Sequence, residues 1–480
     1  MGTQRQTTSD LLVTANFIRA TRESGYVSLA TALAELIDNS LQASASEVAI
    51  TISRESETGL PTIQVEDNGR GMNAQELASC LRFGGSSRFD DRTSFGRFGI
   101  GLPAASLSQT RFVRVTAWQE DIVQTVFLDV DAIVAGAAVD LMPTAGLRGS
   151  GSSGCCVVWQ RCDRIEYRRL AWLERALRRD LGRMYRRFLV GAVKLTINGT
   201  AVDAVDPTLV STVVDGTTAR LAFEPLRYEI ATPTGDTAFV TVRFSMLPVH
   251  QWHNLDNVTK RRVGIVGQHG VSILRAGREI AHGWHLMGSK RKENYDDWWR
   301  CEIEFDPLLD EQFGITINKQ GIRPSSTLRE ALEPELESIA RMLNSRVRQA
   351  FEEVKFQAAA AASCRIAAAA DIDLPVIKGR GQAKGALNYR IGSAPLPLDT
   401  MFRSELKQRT LNVTLNIDHP AFAALYRPLQ GLEESAAAEL RTALELFLLS
   451  YARAALQGGC DSSDMLRAWS ETYGRMLQRS

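Results

Sequence analysis

The order of helical and strand-like patterns near the N-terminus constrains the fold more than any other feature of the sequence. A helical run, SLATALAELIDNSLQAS, begins at Ser28, a residue type that caps helices. Two segments with strand-like alternation follow, EVAITIS (47–53) and TIQVED (62–67). A second helix, a loop, a third helix and the strand-like FVRVTAW complete the order. This order predicts an α+β sandwich with its helices on one face of a sheet.

The second and third predicted helices are separated by a loop. Asn73 and Glu76 match a capping box, which predicts that the second helix, AQELASCLRF, begins there. Residues 84–98 follow and are rich in glycine, serine and charge, so we expect them to form a mobile loop. GIGLPAASLS then predicts the start of the third helix.

The composition is that of a globular protein. The chain has 480 residues, of which 44% are hydrophobic and 23% charged, and this length predicts roughly three domains. No stretch approaches the ~18 apolar residues of a membrane helix, and the N-terminus lacks the pattern of a signal peptide. We therefore expect a cytoplasmic protein without a membrane segment. The seven cysteines show no CxxC or Cys/His spacing, which argues against a zinc site or disulfide framework.

The number and position of the charged residues argue against two features. The 56 basic and 55 acidic residues give a formal net charge of +1, so overall electrostatics predict no polyanionic partner. The first lysine of the chain is Lys194, and no segment matches the Walker A pattern GxxxxGK[ST]. We therefore do not expect a P-loop nucleotide site.

The first predicted helix carries acidic and amide side chains among apolar ones. Glu35 and Asn39 are four residues apart and share a face of the helix, and Asp38 lies beside them. A carboxylate on a mostly apolar helix is costly unless it has a function. An exposed polar stripe is the alternative interpretation.

A glycine-containing turn directly follows the strand-like segment 62–67. Asp67 ends that segment, where it is placed to accept a hydrogen bond from an exocyclic amine. Gly69 and Gly71 allow the backbone to approach a flat ligand or to adopt positive φ angles. A simple Asp-Asn-Gly turn between strands is the alternative.

A third segment, Gly96-Arg97-Phe98-Gly99-Ile100-Gly101, precedes the third helix. Backbone N–H groups at the N-terminus of a helix bind phosphate without needing a lysine. A flexible hinge is the alternative. The three segments, in this order and at this spacing, are more specific than any one of them.

Together, the three segments resemble the nucleotide-binding boxes of the GHKL ATPases, the superfamily of gyrase B, the heat-shock-90 chaperones, histidine kinases and MutL. The matching stretches are ELIDNSLQA, DNGRGM and GRFGIGLPAAS. Downstream, GITINKQGIRPS is similar to the NKQ element of the Microrchidia (MORC) ATPases, and SILRAGREI resembles the strand–turn–strand of their transducer domain. The chain is thus most similar to prokaryotic MORC-like or heat-shock-90-like ATP-binding proteins.

The resemblance implies an α+β architecture of three parts. A Bergerat-type ATP-binding sandwich is expected over residues 1–200, and a ribosomal-S5-like transducer domain over residues 201–345. A mainly helical region is expected over residues 346–480, with a long helix, an alanine-rich connector and a C-terminal region for dimerisation or for a partner.

The resemblance also implies a role for each residue of the site. Glu35 is expected to be the general base that activates the attacking water, and Lys319 to neutralise charge on the γ-phosphate. Asn39 is expected to ligate Mg²⁺, and Asp67 to recognise the adenine amine. The other residues expected to line the base, the phosphates or the ATP lid (84–98) are Gly69, Gly71, Met72, Gly84, Ser86, Gly96, Arg97, Phe98, Gly99, Ile100, Gly101 and Cys155.

Two positions depart from the family pattern. Cys155 follows Gly154 where the family usually has a Gly-Thr pair. Because a thiol is a weaker hydrogen-bond partner than a hydroxyl, we expect lower affinity or selectivity for adenine. Leu102 and Pro103 stand where MORC proteins tend to have a lysine.

By resemblance, the chain is expected to hydrolyse ATP to ADP and phosphate with Mg²⁺, to close as a homodimer when it binds ATP, and to act on DNA or on a protein client. Two alternatives remain open. One is a scaffold for a partner protein that senses ATP without hydrolysing it, and the other is a chaperone-like ATPase.

Two kinds of segment are candidates for contact with partners. The arginine-rich residues 161–188 and the basic turns 260–262 and 290–292 are candidates for contact with DNA. A solvated helix face with paired acidic residues explains the arginines as well. The helices predicted near 328–370 and 433–457 are candidates for a second dimer contact or a protein partner.

Overall fold

The computed structural model describes two compact units, which comprise Met1–Pro248 with Leu255–Leu343, and Val249–Asn254 with Asn344–Ser480. Within them, residues 13–476 are described except for 24, 27, 86–98, 148, 150, 166–168, 233–234, 316–320, 376, 378–385, 427, 432–433, 457–464, 466–467, 470–471 and 473–475.

The first unit begins with helices packed on an eight-stranded sheet, which we call the first sheet. Its strands run in the order β5-β4-β3-β6-β2-β1-β7-β8. The strands are β1 (Glu47–Arg54), β2 (Pro61–Asp67), β3 (Phe112–Gln119), β4 (Ile122–Asp129), β5 (Thr144–Ala145), β6 (Ser153–Gln160), β7 (Lys194–Ile197) and β8 (Thr200–Ala201). The helices are α1 (Thr14–Glu23), α2 (Leu29–Gln42), α3 (Ala74–Cys80), α4 (Gly101–Gln109), α5 (Val130–Val134), α6 (Leu170–Met184) and α7 (Arg186–Leu189). The predicted order of elements and the α+β class are confirmed.

Local signals fix where the helices of the first sheet begin. The Ser28 hydroxyl accepts a hydrogen bond from the Thr31 amide at 3.2 Å, as expected of a helix cap. Asn73 and Glu76 form the predicted capping box, because the Glu76 amide donates to Asn73 Oδ1 at 2.9 Å and the Asn73 amide donates to Glu76 Oε2 at 3.1 Å. Helix α3 ends at Cys80, three residues earlier than the sequence pattern predicts.

A second sheet completes the first unit. Its strand order is β10-β11-β14-β12-β13, and β9 also pairs with β11. The elements are β9 (Arg220–Leu221), β10 (Leu226–Ala231), β11 (Thr237–Met246), α9 (Asn257–Arg262), β12 (Val271–Arg275), β13 (Arg278–Gly283), β14 (Trp299–Phe305) and α10 (Asp310–Phe313). Strands β12 and β13 form an antiparallel hairpin with its turn at Ala276 and Gly277, so the predicted strand–turn–strand is confirmed.

Arginines near the end of the arginine-rich segment connect the two sheets of this unit. Arg186 donates to Glu302 at 2.6 Å and Arg183 donates to Glu279 at 2.6 Å, and Glu279 and Glu302 lie on strands of the second sheet. Burial alone would raise the pKa of Glu302, but the guanidinium groups of Arg186 and Arg187 hold it below its usual value. These arginines therefore serve contacts inside the chain.

The second unit packs helices on a small sheet of order β15-β17-β16. Its elements are α8 (Val249–Trp252), α12 (Ala361–Asp371), β15 (Asn388–Ala394), β16 (Phe402–Lys407), β17 (Thr410–Asn416), α13 (Pro420–Tyr426) and α14 (Glu434–Ala455), while α11 (Ser326–Ala359) leads into it from the first unit. The predicted C-terminal helix is confirmed as α14. Among the described residues, no helix combines the length and apolar character needed to cross a membrane.

Two expectations about exposed segments are wrong. The alanine-rich stretch is not a fraying connector but helix α12, because its small side chains let it pack closely in the core of the second unit, where Ala360, Ala367 and Ala370 are buried. Lys290 does not lie on an exposed basic turn, because it is buried in an ion pair with Asp296 at 2.7 Å.

The first prediction concerns the buried ion pairs between the sheets. Substituting Glu302→Gln removes the negative charge beside buried Arg186, so we expect the free energy of unfolding to fall by roughly 3 kcal/mol. Lys194→Met is the control, since Lys194 and Glu47 form an exposed pair at 3.5 Å and such pairs contribute at most about 1 kcal/mol. Urea denaturation measures both changes, and equal losses for the two variants would contradict the assignment.

Candidate functional site

The three segments singled out in the sequence meet along helix α2. The first residue of α4, Gly101, lies against Glu35 of that helix. One turn further on, the Ser40 hydroxyl donates to Asp67 Oδ2 at 2.7 Å, which joins the end of β2 to the same helix. Gly69 packs against Ala43 at the C-terminal end of the helix. Residues far apart in sequence thus meet on one helix.

Glu35 is buried at the start of helix α4. A Cβ atom added at Gly101 would lie 2.5 Å from Glu35 Oε2, so a side chain at this position would displace the carboxylate from its present place. The first N–H groups of a helix have no partner within the helix. Ile100 stands at the cap position, and its apolar side chain cannot bond to them. The start of α4 therefore offers backbone donors next to a buried carboxylate. Asn39 lies one turn beyond Glu35 on α2 and is exposed.

Asp67 is held at the end of β2 by three donors. Besides Ser40, the Gly69 amide donates to Asp67 Oδ1 at 2.9 Å, and the backbone of Cys155 on the paired strand β6 is the third donor. Burial raises the pKa of Asp67 above its usual value, although these hydrogen bonds oppose the rise. The side chain is therefore fixed in orientation and partly desolvated, as a recognition carboxylate requires.

The turn after Asp67 also depends on glycine. Gly71 has a φ of +70°, and an added Cβ would lie 2.3 Å from the carbonyl oxygen of Trp118. A side chain at this position would therefore force the turn away from strand β3. Met72 follows and packs against the core of the first sheet. The expected positive φ is confirmed at Gly71, while a close approach to a flat ligand stays a prediction.

The two ends of the expected ATP lid are joined. The Gly84 amide donates to the Gly99 carbonyl at 3.1 Å, and both glycines have positive φ angles, +75° and +60°. The expected mobile loop between them, with Ser86, Gly96, Arg97 and Phe98, lies outside the described residues. Lys319 also lies outside them.

Sequence reasoning missed one residue of this site, Arg278. It lies on β13 of the second sheet, forms a buried ion pair with Asp38, and its Nη1 lies 3.8 Å from Glu35 Oε1. The Tyr185 hydroxyl donates to Asp38 Oδ1 at 2.8 Å. The sequence did indicate that Asp38 needs a partner, because an acidic residue on an apolar helix is costly without one. It could not identify Arg278 as that partner, since 240 positions separate the two residues.

A comparison with protein families identifies the domain built around this site. Residues 27–147 match the family model described as histidine kinase-, DNA gyrase B-, and HSP90-like ATPase. This region is a GHKL domain. The predicted superfamily is therefore confirmed, and the matched residues span the first sheet from α2 to β5. A search of curated proteins gives no match to the chain. Similarity to the MORC branch stays a prediction.

The described residues of the GHKL domain bear on how a metal ion would be held. Among the residues that the structure describes, no group of three or more His, Cys, Asp or Glu side chains is arranged to hold a metal. Mg²⁺ is commonly held by one or two protein ligands together with substrate phosphates and water. An exposed amide such as Asn39, one turn from Glu35 on the same helix, fits that manner of binding.

The second prediction concerns the contact between Gly101 and Glu35. Because an added methyl group would lie 2.5 Å from Glu35 Oε2, Gly101→Ala should displace the carboxylate or the start of α4. We expect it to weaken binding of a non-hydrolysable ATP analogue by roughly tenfold or more, about 1.4 kcal/mol.

Gly191→Ala is the matched control for this prediction. An added Cβ at Gly191 would come no closer than 3.3 Å to its nearest neighbour, so analogue binding should be nearly unchanged. Titration calorimetry measures both affinities. Unchanged binding in Gly101→Ala would contradict the assignment of the α4 N-terminus to the nucleotide site.

Proposed function

We propose that the chain is an Mg²⁺-dependent ATPase that works as a conformational switch. In this proposal it closes as a homodimer when it binds ATP, and slow hydrolysis reopens the dimer. The cycle would act on DNA or on a protein client. The observation that carries the proposal is the convergence of Glu35, Gly101 and Asp67 on helix α2, inside a region that matches the GHKL family.

Each part of the site supports one step of nucleotide binding. The fixed and partly buried carboxylate of Asp67 would accept a hydrogen bond from the adenine amine, because an ionised carboxylate only accepts hydrogen bonds. The backbone N–H groups of Gly101 and Leu102 at the start of α4 would bind phosphate oxygens, aided by the helix dipole. Asn39 would ligate Mg²⁺, which supplies positive charge against the phosphates when bound.

Glu35 would act as the general base. Phosphoryl transfer to water depends mainly on positioning and on electrostatic stabilisation, and a carboxylate contributes by orienting the water and accepting its proton. Glu35 supports this role because it is buried and its carboxylate lies beside Gly101 at the start of α4. Lys319 would supply a cation at the γ-phosphate, as its position in the NKQ segment implies.

The third prediction separates binding from hydrolysis. Glu35→Ala should retain ATP binding and accumulate a closed dimer, while phosphate release falls by roughly 10²- to 10⁴-fold because the base is lost. Asn39→Ala should instead lose Mg–ATP binding. Light scattering with and without a non-hydrolysable analogue measures dimer closure, and a phosphate-release assay measures turnover.

Two results of these assays would count against the proposal. Hydrolysis by Glu35→Ala at the wild-type rate would show that another group is the base. Analogue-dependent dimerisation with no phosphate release from the wild type would support the non-hydrolysing scaffold instead. A chaperone-like ATPase would suppress client aggregation and would cause no shift of DNA at physiological salt.

The fourth prediction concerns Cys155, which stands where the family usually has threonine. Cys155 pairs directly with Asp67 across strands β6 and β2, and burial raises the pKa of its thiol well above the usual value. The residue is therefore a neutral and weak hydrogen-bond partner beside the adenine-recognition carboxylate. Cys155→Thr should tighten ATP binding several-fold, about 1 kcal/mol for one added hydrogen bond.

Cys156→Thr is the matched control, because successive residues of a strand point to opposite faces of the sheet. Of these two cysteines, Cys155 is the one that packs against the core of the first sheet. Affinity measurements on both variants test the idea, and equal effects would show that the substitution acts through the strand rather than through the nucleotide site.

A further inference from the structure

A cation from the second sheet reaches the predicted catalytic carboxylate. Arg278 is the first residue of β13, directly after the hairpin turn, and its side chain is buried. It forms an ion pair with Asp38, and its Nη1 atom lies 3.8 Å from Glu35 Oε1. Both carboxylates are on helix α2 of the GHKL domain. One guanidinium group therefore stands beside two buried acids that are separated by less than one helical turn.

The charges around Arg278 make this arrangement specific. Glu35 and Asp38 would repel one another in a desolvated site without a nearby cation. The Tyr185 hydroxyl oxygen lies 2.8 Å from both Asp38 Oδ1 and the Ala34 carbonyl oxygen, which share its one proton, and the ring lies 5.9 Å from the Arg278 guanidinium carbon. Burial alone would lower the pKa of Arg278, but Asp38, Tyr185 and Glu35 raise it overall, so the residue stays charged.

The next residue on the hairpin, Glu279, is bound by helices α6 and α7. Glu279 accepts hydrogen bonds from Arg183 at 2.6 Å and from Arg186 at 2.5 Å. Arg278 therefore contacts α2, while Glu279 is bound by arginines of α6 and α7. Two successive residues of opposite charge are fixed by separate partners, so movement of the hairpin relative to α2 would change the position of the guanidinium group beside Glu35.

We propose that Arg278 is a positioning residue for hydrolysis, which orients Glu35 through the Asp38 ion pair and its own proximity, and thereby links the second sheet to the catalytic carboxylate. This inference rests on the proposed ATPase function. The competing explanation is purely structural, with Arg278 serving only to neutralise Asp38.

The first arm of the test compares two arginines of the same hairpin in the full-length protein. Arg278→Met should lower kcat roughly 10- to 100-fold, as expected when a reacting group is misplaced, while KM and analogue affinity change less than about threefold. Arg275→Met is the control, because Arg275 is equally buried and bonds Asp310 at 2.7 Å on the second-sheet side. It should lower Tm and leave kcat within about twofold of the wild type.

The second arm separates positioning from neutralisation. The double variant Asp38→Asn/Arg278→Met removes both charges of the closer ion pair, so its Tm should recover part of the loss seen in Arg278→Met. Its kcat should stay low, because Glu35 still lacks its guanidinium neighbour. Arg278→Lys, which keeps the charge without the planar fork, should restore part of kcat. If Arg278→Met fails to fold, the double variant takes its place in the comparison.

The outcomes distinguish this inference from the function on which it rests. Recovery of both Tm and kcat in the double variant would overturn the positioning role, as would a normal kcat in Arg278→Met. An active wild type that is inactivated by Glu35→Ala but unaffected by Arg278→Met would overturn this inference alone. A wild type that releases no phosphate would overturn the ATPase proposal and the inference with it.

Discussion

The burial of two carboxylates on helix α2 is the constraint on which the rest of this structure depends. The helix is apolar through most of its length, and its residues between Ala32 and Asp38 are all buried. Removing ionised groups from water costs several kcal/mol each unless partners compensate. The hydroxyl of Tyr185 and the guanidinium of Arg278 contribute to this compensation. The site and the contact between the sheets are therefore consequences of the same electrostatic requirement.

This constraint explains why one helix serves both as core and as site. The face of α2 that carries Leu33 and Ile37 belongs to the core of the first sheet, so the helix cannot move independently of the strands below it. Side chains on such a helix are held with little freedom, and a general base requires this for hydrogen-bond geometry. Asn39 is exposed one turn beyond Glu35. The buried carboxylate of Glu35 and the exposed amide of Asn39 are thus about one helical turn apart.

The sequence predicted helices and strands correctly where residues close together in the chain determine them. Ser28, the Asn73–Glu76 capping box and the alternation in β1 and β2 act over a few residues, and these elements form as predicted. Prediction failed where tertiary contacts decide. Alanine-rich residues 361–371 form helix α12 because a core is available for small side chains, and Lys290 is buried because Asp296 pairs with it. Arg278 could not be found from Asp38 alone, since any of the chain's arginines or lysines satisfies the same charge requirement.

The same reasoning limits how the arginine-rich segment can engage a polyanion. Arg183 and Arg186 hold the carboxylates of Glu279 and Glu302, which are buried on the second sheet. Moving these arginines onto phosphates would take both guanidinium partners from buried Glu279 and one partner from Glu302, at a cost of several kcal/mol, more than a phosphate contact in physiological salt returns. Among the described arginines of this segment, the exposed ones include Arg169, Arg175 and Arg179, so a DNA contact by this segment would involve these side chains before the buried ones. The Arg175 guanidinium carbon lies 5.2 Å from the ring centroid of exposed Trp172.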